Sequence, residues 1–147
     1  MKKAVRVVDT RQFLRHPLDA PLRCVVSVES EEETCGIRDI SDGGAAFFAV
    51  KKYRKTQSVE MTFPVFKNCP VLRGKIIWSM PDKDAPGSHI NGIKFADNRD
   101  KAMLRLIEQI CHIMSYRVMQ EHLTGKTMSA DDAAREWINK YSESFPD

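Results

Sequence analysis

Thr34-Cys35-Gly36-Ile37-Arg38-Asp39-Ile40-Ser41-Asp42-Gly43-Gly44-Ala45-Ala46-Phe47-Phe48-Ala49-Val50 consists of two extended runs separated by four turn-forming residues. Thr34 to Ile40 and Ala45 to Val50 have the β-branched, aromatic and small-apolar content of strands, and Ser41 to Gly44 supplies the reversal between them. A glycine pair suits a tight hairpin that needs positive φ, and a serine hydroxyl satisfies backbone groups there. The same grammar continues on both sides. Leu22 to Val28 places Leu22, Cys24, Val26 and Val28 on one face, and Glu29-Ser30-Glu31-Glu32-Glu33 reads as a solvated turn after it. Ser58 to Phe63 alternates, with Val59, Met61 and Phe63 opposing Ser58, Glu60 and Thr62. Val71 to Met80 is a longer strand in which Gly74 marks a bend or bulge, and Ile90 to Phe95 is the last. Six strands at this spacing predict a small antiparallel barrel, whose closure removes the exposed edges a sheet of this size would otherwise carry.

After Asp97 the period changes. Leu104, Ile107, Cys111, Met114 and Val118 recur at alternating spacings of three and four, which predicts an amphipathic helix with Asp97 as its N-cap and Gly125 at its end. Ser129-Ala130-Asp131-Asp132 resembles a capping box opening a second helix, with Ala134, Trp137, Ile138, Tyr141 and Phe145 on its apolar side. The stripe on the first helix suits either the wall of the barrel or a second copy of the chain, because a 3,4 repeat also serves a coiled-coil seam. Ahead of the strands, His16-Pro17 and Pro21 favour extended or turn conformations. The expected organisation is a flexible arm over 1–20, a barrel over 21–97 and a two-helix extension over 98–147, in a mainly β protein.

Composition narrows the function. The 147 residues are 42% hydrophobic and 29% charged, ordinary for a folded domain that needs no metal or disulfide. Cys24, Cys35, Cys69 and Cys111 form no C-x-x-C pair and stand at no zinc-finger spacing from a histidine, so they read as reduced thiols. No apolar run approaches the length of a membrane span, and Arg6 and Asp9 interrupt any signal-peptide core, which predicts a cytoplasmic protein without membrane insertion. Residues 1–96 carry 16 Lys and Arg against 11 Asp and Glu, while 97–147 carry 7 against 9. The front of the chain is therefore where an anion belongs, although the bias is too mild for a general nucleic-acid binder. Lys51-Lys52-Tyr53-Arg54-Lys55 reads as a solvated hairpin turn. Nucleophile–histidine signatures, phosphate-cradling G-x-G-x-x-G and metal clusters are all missing from the sequence, so an enzyme is not expected and no cofactor is called for.

Two short segments carry the chemistry. Arg11-Gln12-Phe13-Leu14-Arg15 places two guanidinium forks four residues apart, and Asp39-Ile40-Ser41-Asp42-Gly43-Gly44 places a carboxylate, a hydroxyl and two glycines around a turn. Arginine grips phosphate, and the O6/N7 edge of guanine, bidentately. A carboxylate accepts from ring N–H groups, and glycine permits close approach. In this order and at this separation the two segments resemble the signature of the PilZ domain, a family of bacterial receptors for cyclic di-GMP. Gly74-Lys75-Ile76-Ile77-Trp78 and Gly92-Ile93-Lys94-Phe95 are similar to the strands that end such domains, so the resemblance covers about residues 8–97.

The resemblance implies a split β-barrel and a ligand, cyclic di-GMP, held by Arg11, Arg15, Asp39, Ser41 and Gly44. The two arginines would contact phosphates and guanine edges, Asp39 would accept from a guanine, Ser41 would donate its hydroxyl and Gly44 would let the ligand approach. His16, Arg38 and Gly43 flank these positions as further contacts. It also implies an unidentified effector protein as partner, with outputs in motility, exopolysaccharide or biofilm formation. Two alternatives stay open: a small-barrel nucleic-acid binder, and a PilZ-type protein adaptor indifferent to nucleotide. Specific nucleic-acid binding is not expected, because the strands lack an evident set of outward aromatics for base stacking. A homodimer through the C-terminal helix is the other partner to consider.

Overall fold

The computed structural model describes residues 21–97 and 100–141. Six strands, β1 (Arg23–Val28), β2 (Glu31–Ile40), β3 (Gly44–Ala49), β4 (Ser58–Thr62), β5 (Leu72–Pro81) and β6 (His89–Phe95), are followed by α1 (Lys101–Thr124) and α2 (Ala130–Tyr141). All pairings are antiparallel, and the strands close in the order β1-β2-β3-β6-β5-β4, with Val25–Ser27 of β1 sealing against Glu60–Thr62 of β4. The six-stranded barrel and two-helix extension expected from the sequence are what the chain forms.

Alternation explains the interior. Cys24 and Val26, Cys35 and Ile37, Ala45 and Phe47, Val59 and Met61, Leu72 and Ile76, and Ile93 and Phe95 all point inward and are buried. Such a core stabilises by roughly 1.5–3 kcal/mol for each large side chain fully withdrawn from water.

The acidic run Glu29 to Glu33 is not a solvated turn as a whole. Only Glu29 (φ 56°) and Ser30 turn, and Glu31–Glu33 continue as β2, paired with Ser27 and its neighbours in β1. The reason is Glu33, whose carboxylate accepts from the Val50 N–H (2.7 Å), the Lys51 N–H (3.4 Å) and the Tyr53 hydroxyl (2.9 Å). Those bonds anchor the loop after β3 and make a charged strand end profitable. They also correct the reading of Lys51–Lys55 as simply solvated: Tyr53 is buried, edge-on to Phe47, and its N–H donates to the Asn91 side chain of β6.

Asp100, not Asp97, caps α1: its carboxylate accepts the Met103 N–H at 3.0 Å. At the far end Gly125 adopts φ 70° and its N–H returns to the Glu121 carbonyl, as a C-terminal glycine does. The Ser129 hydroxyl accepts from the Asp132 N–H at 3.0 Å, so the second cap forms as the sequence predicts.

The buried face of α1 differs from the predicted stripe. Leu106, Ile107, Ile110 and Ile113 are buried, whereas Leu104, Cys111 and Val118 face solvent, Val118 with 67% of its surface exposed. Two apolar stripes overlap on this helix, and the one with more contiguous branched aliphatics takes the core. That face joins the same hydrophobic core as the barrel, with Ile113 and Met114 beside Leu22, Ile37 and Phe48. Of the two placements open from sequence, the barrel wall is the one the main apolar face adopts. On α2, Ala130, Ala133, Ala134 and Trp137 are buried. Asp131 meets Arg23 at the start of β1 (3.2 Å), and Arg117 of α1 donates to the Met128 carbonyl (2.7 Å), fixing the helix pair to the barrel and to each other.

Candidate functional site

Two strand irregularities build the site. In β2 the register against β3 passes from Ile37↔Phe47 to Asp39↔Ala46, leaving Arg38 as an extra residue. In β5 the register against β6 passes from Ile76↔Ile93 to Trp78↔Gly92, leaving Ile77 extra. A bulge breaks the strict in–out alternation. After buried Ile37, both Arg38 and Asp39 are exposed, and after buried Ile76 the exposed Ile77 is followed by half-buried Trp78. Since β2, β3, β6 and β5 are consecutive neighbours, the two bulges flank the β3–β6 pair.

Between them the wall is paved with small residues, Ala46 opposite Gly92. Side chains from both flanks therefore lean inward over the pair. The Trp78 indole lies on the Gly92 backbone so closely that an added Cβ would stand 2.3 Å from its ring. The Arg38 guanidinium carbon is 5.8 Å from the indole centroid, a cation–π approach, while its Nε donates to the Asp39 carboxylate at 2.8 Å. At the rim the Ser41 N–H donates to the Gly44 carbonyl (2.8 Å), and the Gly43 N–H donates to the Ser41 hydroxyl (3.4 Å). Lys94 projects outward from β6 directly opposite Gly44. The result is an open cleft of about 290 Å³ lined by Asp39, Ser41, Gly43, Gly44, Trp78 and Lys94. It presents an acceptor, a hydroxyl, a cation and a flat aromatic face within one concavity.

The glycines are needed for reasons other than the expected one. Neither Gly43 nor Gly44 has positive φ. A Cβ on Gly44 would sit 2.3 Å from the Ile93 carbonyl oxygen, so close β3–β6 approach demands glycine there with or without a ligand. Around Gly43 nothing lies within 4 Å of the added atom, and that position opens onto the cleft. Gly74 likewise sits at a close crossing, 2.3 Å from the Lys94 carbonyl oxygen, and not at the β5 bulge.

Helix α1 reaches this corner of the barrel. The Cys111 thiol contacts the Ile40 carbonyl at 3.6 Å, one residue before the turn. Partial burial, and then the charges of Glu108 and Asp42, push that thiol's pKa up. The helix thus touches the end of β2 just ahead of the turn. Among the described residues no group of three or more His, Cys, Asp or Glu is placed to hold a metal ion, and no helix is long and apolar enough to cross a membrane.

Of the residues singled out from sequence, Arg38, Asp39, Ser41, Gly43 and Gly44 converge on the cleft. Arg11, Arg15 and His16 lie outside the described residues. Trp78 and Lys94 were quoted only as parts of strand-ending patterns and emerge as cleft residues. The signal for Trp78 was present: Ile76-Ile77-Trp78 breaks period-two alternation next to a glycine-bearing partner strand, as a bulge does.

The six-stranded closed barrel thus sets a polar turn beside an outward indole, and the family profile of the PilZ domain matches residues 9–112. The chain belongs to the PilZ domain family. Among solved structures it is similar to MrkH of K. pneumonia in its apo state, at 14% identity and TM-score 0.51, covering 78% of this chain and 56% of that one. A second crystal form of MrkH gives the same identity and TM-score, with 78% and 54% covered. The Bacillus subtilis inhibitor of motility MotI/DgrA aligns at 14% identity and TM-score 0.49, over 81% and 55%. The chain spans about half the length of these proteins, and at 14% identity the likeness to MrkH speaks for the fold alone. No curated protein sequence matches the chain.

Proposed function

We propose that the cleft beside the Ser41–Gly44 turn binds cyclic di-GMP and that the chain is a regulatory receptor, not a catalyst. The observation that carries this reading is the convergence of Asp39, Ser41, Trp78 and Lys94 on one concavity of a PilZ barrel. Cyclic di-GMP offers two phosphates and two guanines. Its recognition calls for cations, an acceptor for ring N–H groups and flat surfaces for stacking.

In this proposal Arg11 and Arg15 grip phosphate and the guanine O6/N7 edge, with His16 beside them. Asp39 accepts from guanine N–H groups, and the Ser41 hydroxyl and the Gly43–Gly44 backbone line the approach. Trp78 offers the stacking face and Lys94 a further cation. Arg38 now occupies both the Asp39 carboxylate and the indole face, so it must turn aside as the ligand enters, exchanging one set of partners for another. Binding then changes the corner where α1 meets Ile40, and an effector protein reads that change, with motility, exopolysaccharide or biofilm formation as the proposed output.

Calorimetric titration of cyclic di-GMP against the wild type, Arg11→Ala, Arg15→Ala and Asp39→Ala tests the assignment. A charged hydrogen bond contributes about 1.5–3 kcal/mol, so each substitution should weaken binding by roughly one to two decades. Unchanged affinity in all three would end it. A parallel titration with single-stranded RNA separates the receptor from a nucleic-acid-binding barrel, and native mass spectrometry gives stoichiometry and assembly, including any homodimer. Hydrogen exchange over residues 5–20 should show added protection with ligand.

A further inference from the structure

The outer wall of β4, β5 and β6 bears a charge arrangement that starts at Lys94 on the edge of the cleft and extends away from it. By register Ser58 stands opposite Lys75, Lys75 opposite Lys94, and Lys94 opposite Gly44, forming one lateral row across the barrel. Both lysines point outward and are exposed. Like charges directly opposite each other on neighbouring strands are destabilising, and among the described residues neither lysine has an ion-pair partner. The adjacent row shows what a satisfied wall looks like: Glu60 and Arg73 pair at 3.0 Å. A groove of about 720 Å³ runs along this wall, and Lys55, from the loop before β4, adds a third cation to it. Ile77, the bulge residue, stands in the same groove with 44% of its surface exposed. Helix α1 packs beside Leu22, Ile37 and Phe48, on β2, β3 and the approach to β1, and leaves this wall open.

We propose that this wall is a docking surface for an acidic, partly apolar segment of a partner protein. Its carboxylates would lie between Lys75, Lys94 and Lys55, and an apolar side chain would cover Ile77. Charge complementarity selects the occupant. The lysine row needs anions to relieve its repulsion, while Glu29, Glu60 and Asp97 on the groove margin oppose a uniformly anionic polymer or membrane surface. A peptide that mixes carboxylates with aliphatic side chains meets both conditions. The wall shares Ile77 and Lys94 with the cleft, whereas Lys55 and Lys75 line the groove alone, so variants at those two positions separate this proposal from the nucleotide reading.

The probe is an eight-residue peptide of alternating Asp and Glu around two leucines, titrated into the full chain by NMR. Its Asn/Gln isostere, a single-stranded RNA and anionic phosphatidylserine vesicles serve as competing occupants. The acidic peptide should shift the amide resonances of Lys75, Ile77 and Lys94, and the isostere should bind at least fivefold more weakly. The double substitution Lys55→Gln/Lys75→Gln should weaken the acidic peptide at least fivefold while leaving cyclic di-GMP affinity unchanged. Lys75→Gln alone should leave the melting temperature equal to or above the wild-type value, because a repulsion is removed. Equal binding of peptide and isostere, an unchanged double variant, shifts confined to another face, or RNA or vesicles occupying this wall in preference to the peptide would each overturn the proposal.

Discussion

Gly44 separates two roles that the family signature merges, and replacing it with alanine shows which one the residue serves. The added methyl would stand 2.3 Å from the Ile93 carbonyl oxygen and 3.4 Å from its carbon, more than 1 Å inside an ordinary contact with that oxygen. The atom it meets is backbone in a paired strand, so no side-chain rotation relieves the clash. The β3–β6 ladder must part at Gly44↔Lys94, straining the Ser41 N–H bond to the Gly44 carbonyl as it does. Overpacking of this kind costs about 1–3 kcal/mol, and losing one hydrogen bond adds about 1 kcal/mol. At about 2–4 °C per kcal/mol for a chain of this size, the melting temperature should fall by roughly 5–15 °C without any ligand. Gly43→Ala is the control, since its methyl meets nothing within 4 Å, and its melting temperature should stay within about 2 °C of wild type. Differential scanning calorimetry of the two variants, paired with ligand titration, decides the matter. If Gly44→Ala melts like wild type yet loses affinity, the packing argument is refuted and the glycine serves the ligand alone.

Three further outcomes follow from the same packing. Gly92→Ala should push Trp78 off the β6 backbone, changing its fluorescence maximum; since a stacked base contributes about 1–3 kcal/mol, cyclic di-GMP affinity should fall about tenfold, and an unmoved spectrum would contradict the contact. Glu33→Gln keeps the shape but weakens three charge-assisted bonds to Val50, Lys51 and Tyr53, so urea denaturation should show a loss of about 1–3 kcal/mol. Burial, with Glu33 nearby, raises the Cys24 thiol pKa, and burial, with Cys35 and Glu33 nearby, raises that of the Tyr53 phenol. Both groups are held neutral in the fold and ionise more easily when unfolded. Their contribution is complete below the ordinary cysteine value of 9.0 and is lost as pH climbs above it. Melting temperature should therefore drop between about pH 9 and pH 11, and Cys24→Ala should make that decline shallower.

The barrel was legible because alternation is a local property: Val59, Met61 and Phe63 face inward whatever the rest of the chain does. The misread elements are those decided by distant partners. Glu31–Glu33 looked like a turn because the three groups that bind Glu33 lie beyond β3. Asp97 was read as the cap of α1, and Asp100, the same residue type three positions further on, takes that place. On α1 two stripes of similar spacing competed, and the one richer in branched aliphatics, with Leu106, Ile110 and Ile113, is buried in place of Leu104, Cys111 and Val118. In the cleft, Asp39 and Ser41 were marked by residue type. Trp78 and Lys94 needed the register of β5 on β6 to be placed, and register is set by the bulge at Ile77.

Closure of the barrel also sets the order in which the chain can assemble. The β1–β2, β2–β3, β4–β5 and β5–β6 hairpins join neighbours along the chain, but the seams β1–β4 and β3–β6 each bridge a long stretch of polypeptide. Closing those seams costs more loop entropy than closing the hairpins, so they are expected to form after them. Gly44, Ala46 and Gly92 all lie on the β3–β6 seam. The floor of the cleft is therefore expected to be among the last surfaces to form, so nascent or partly denatured chains, however rich in hairpins, would lack it.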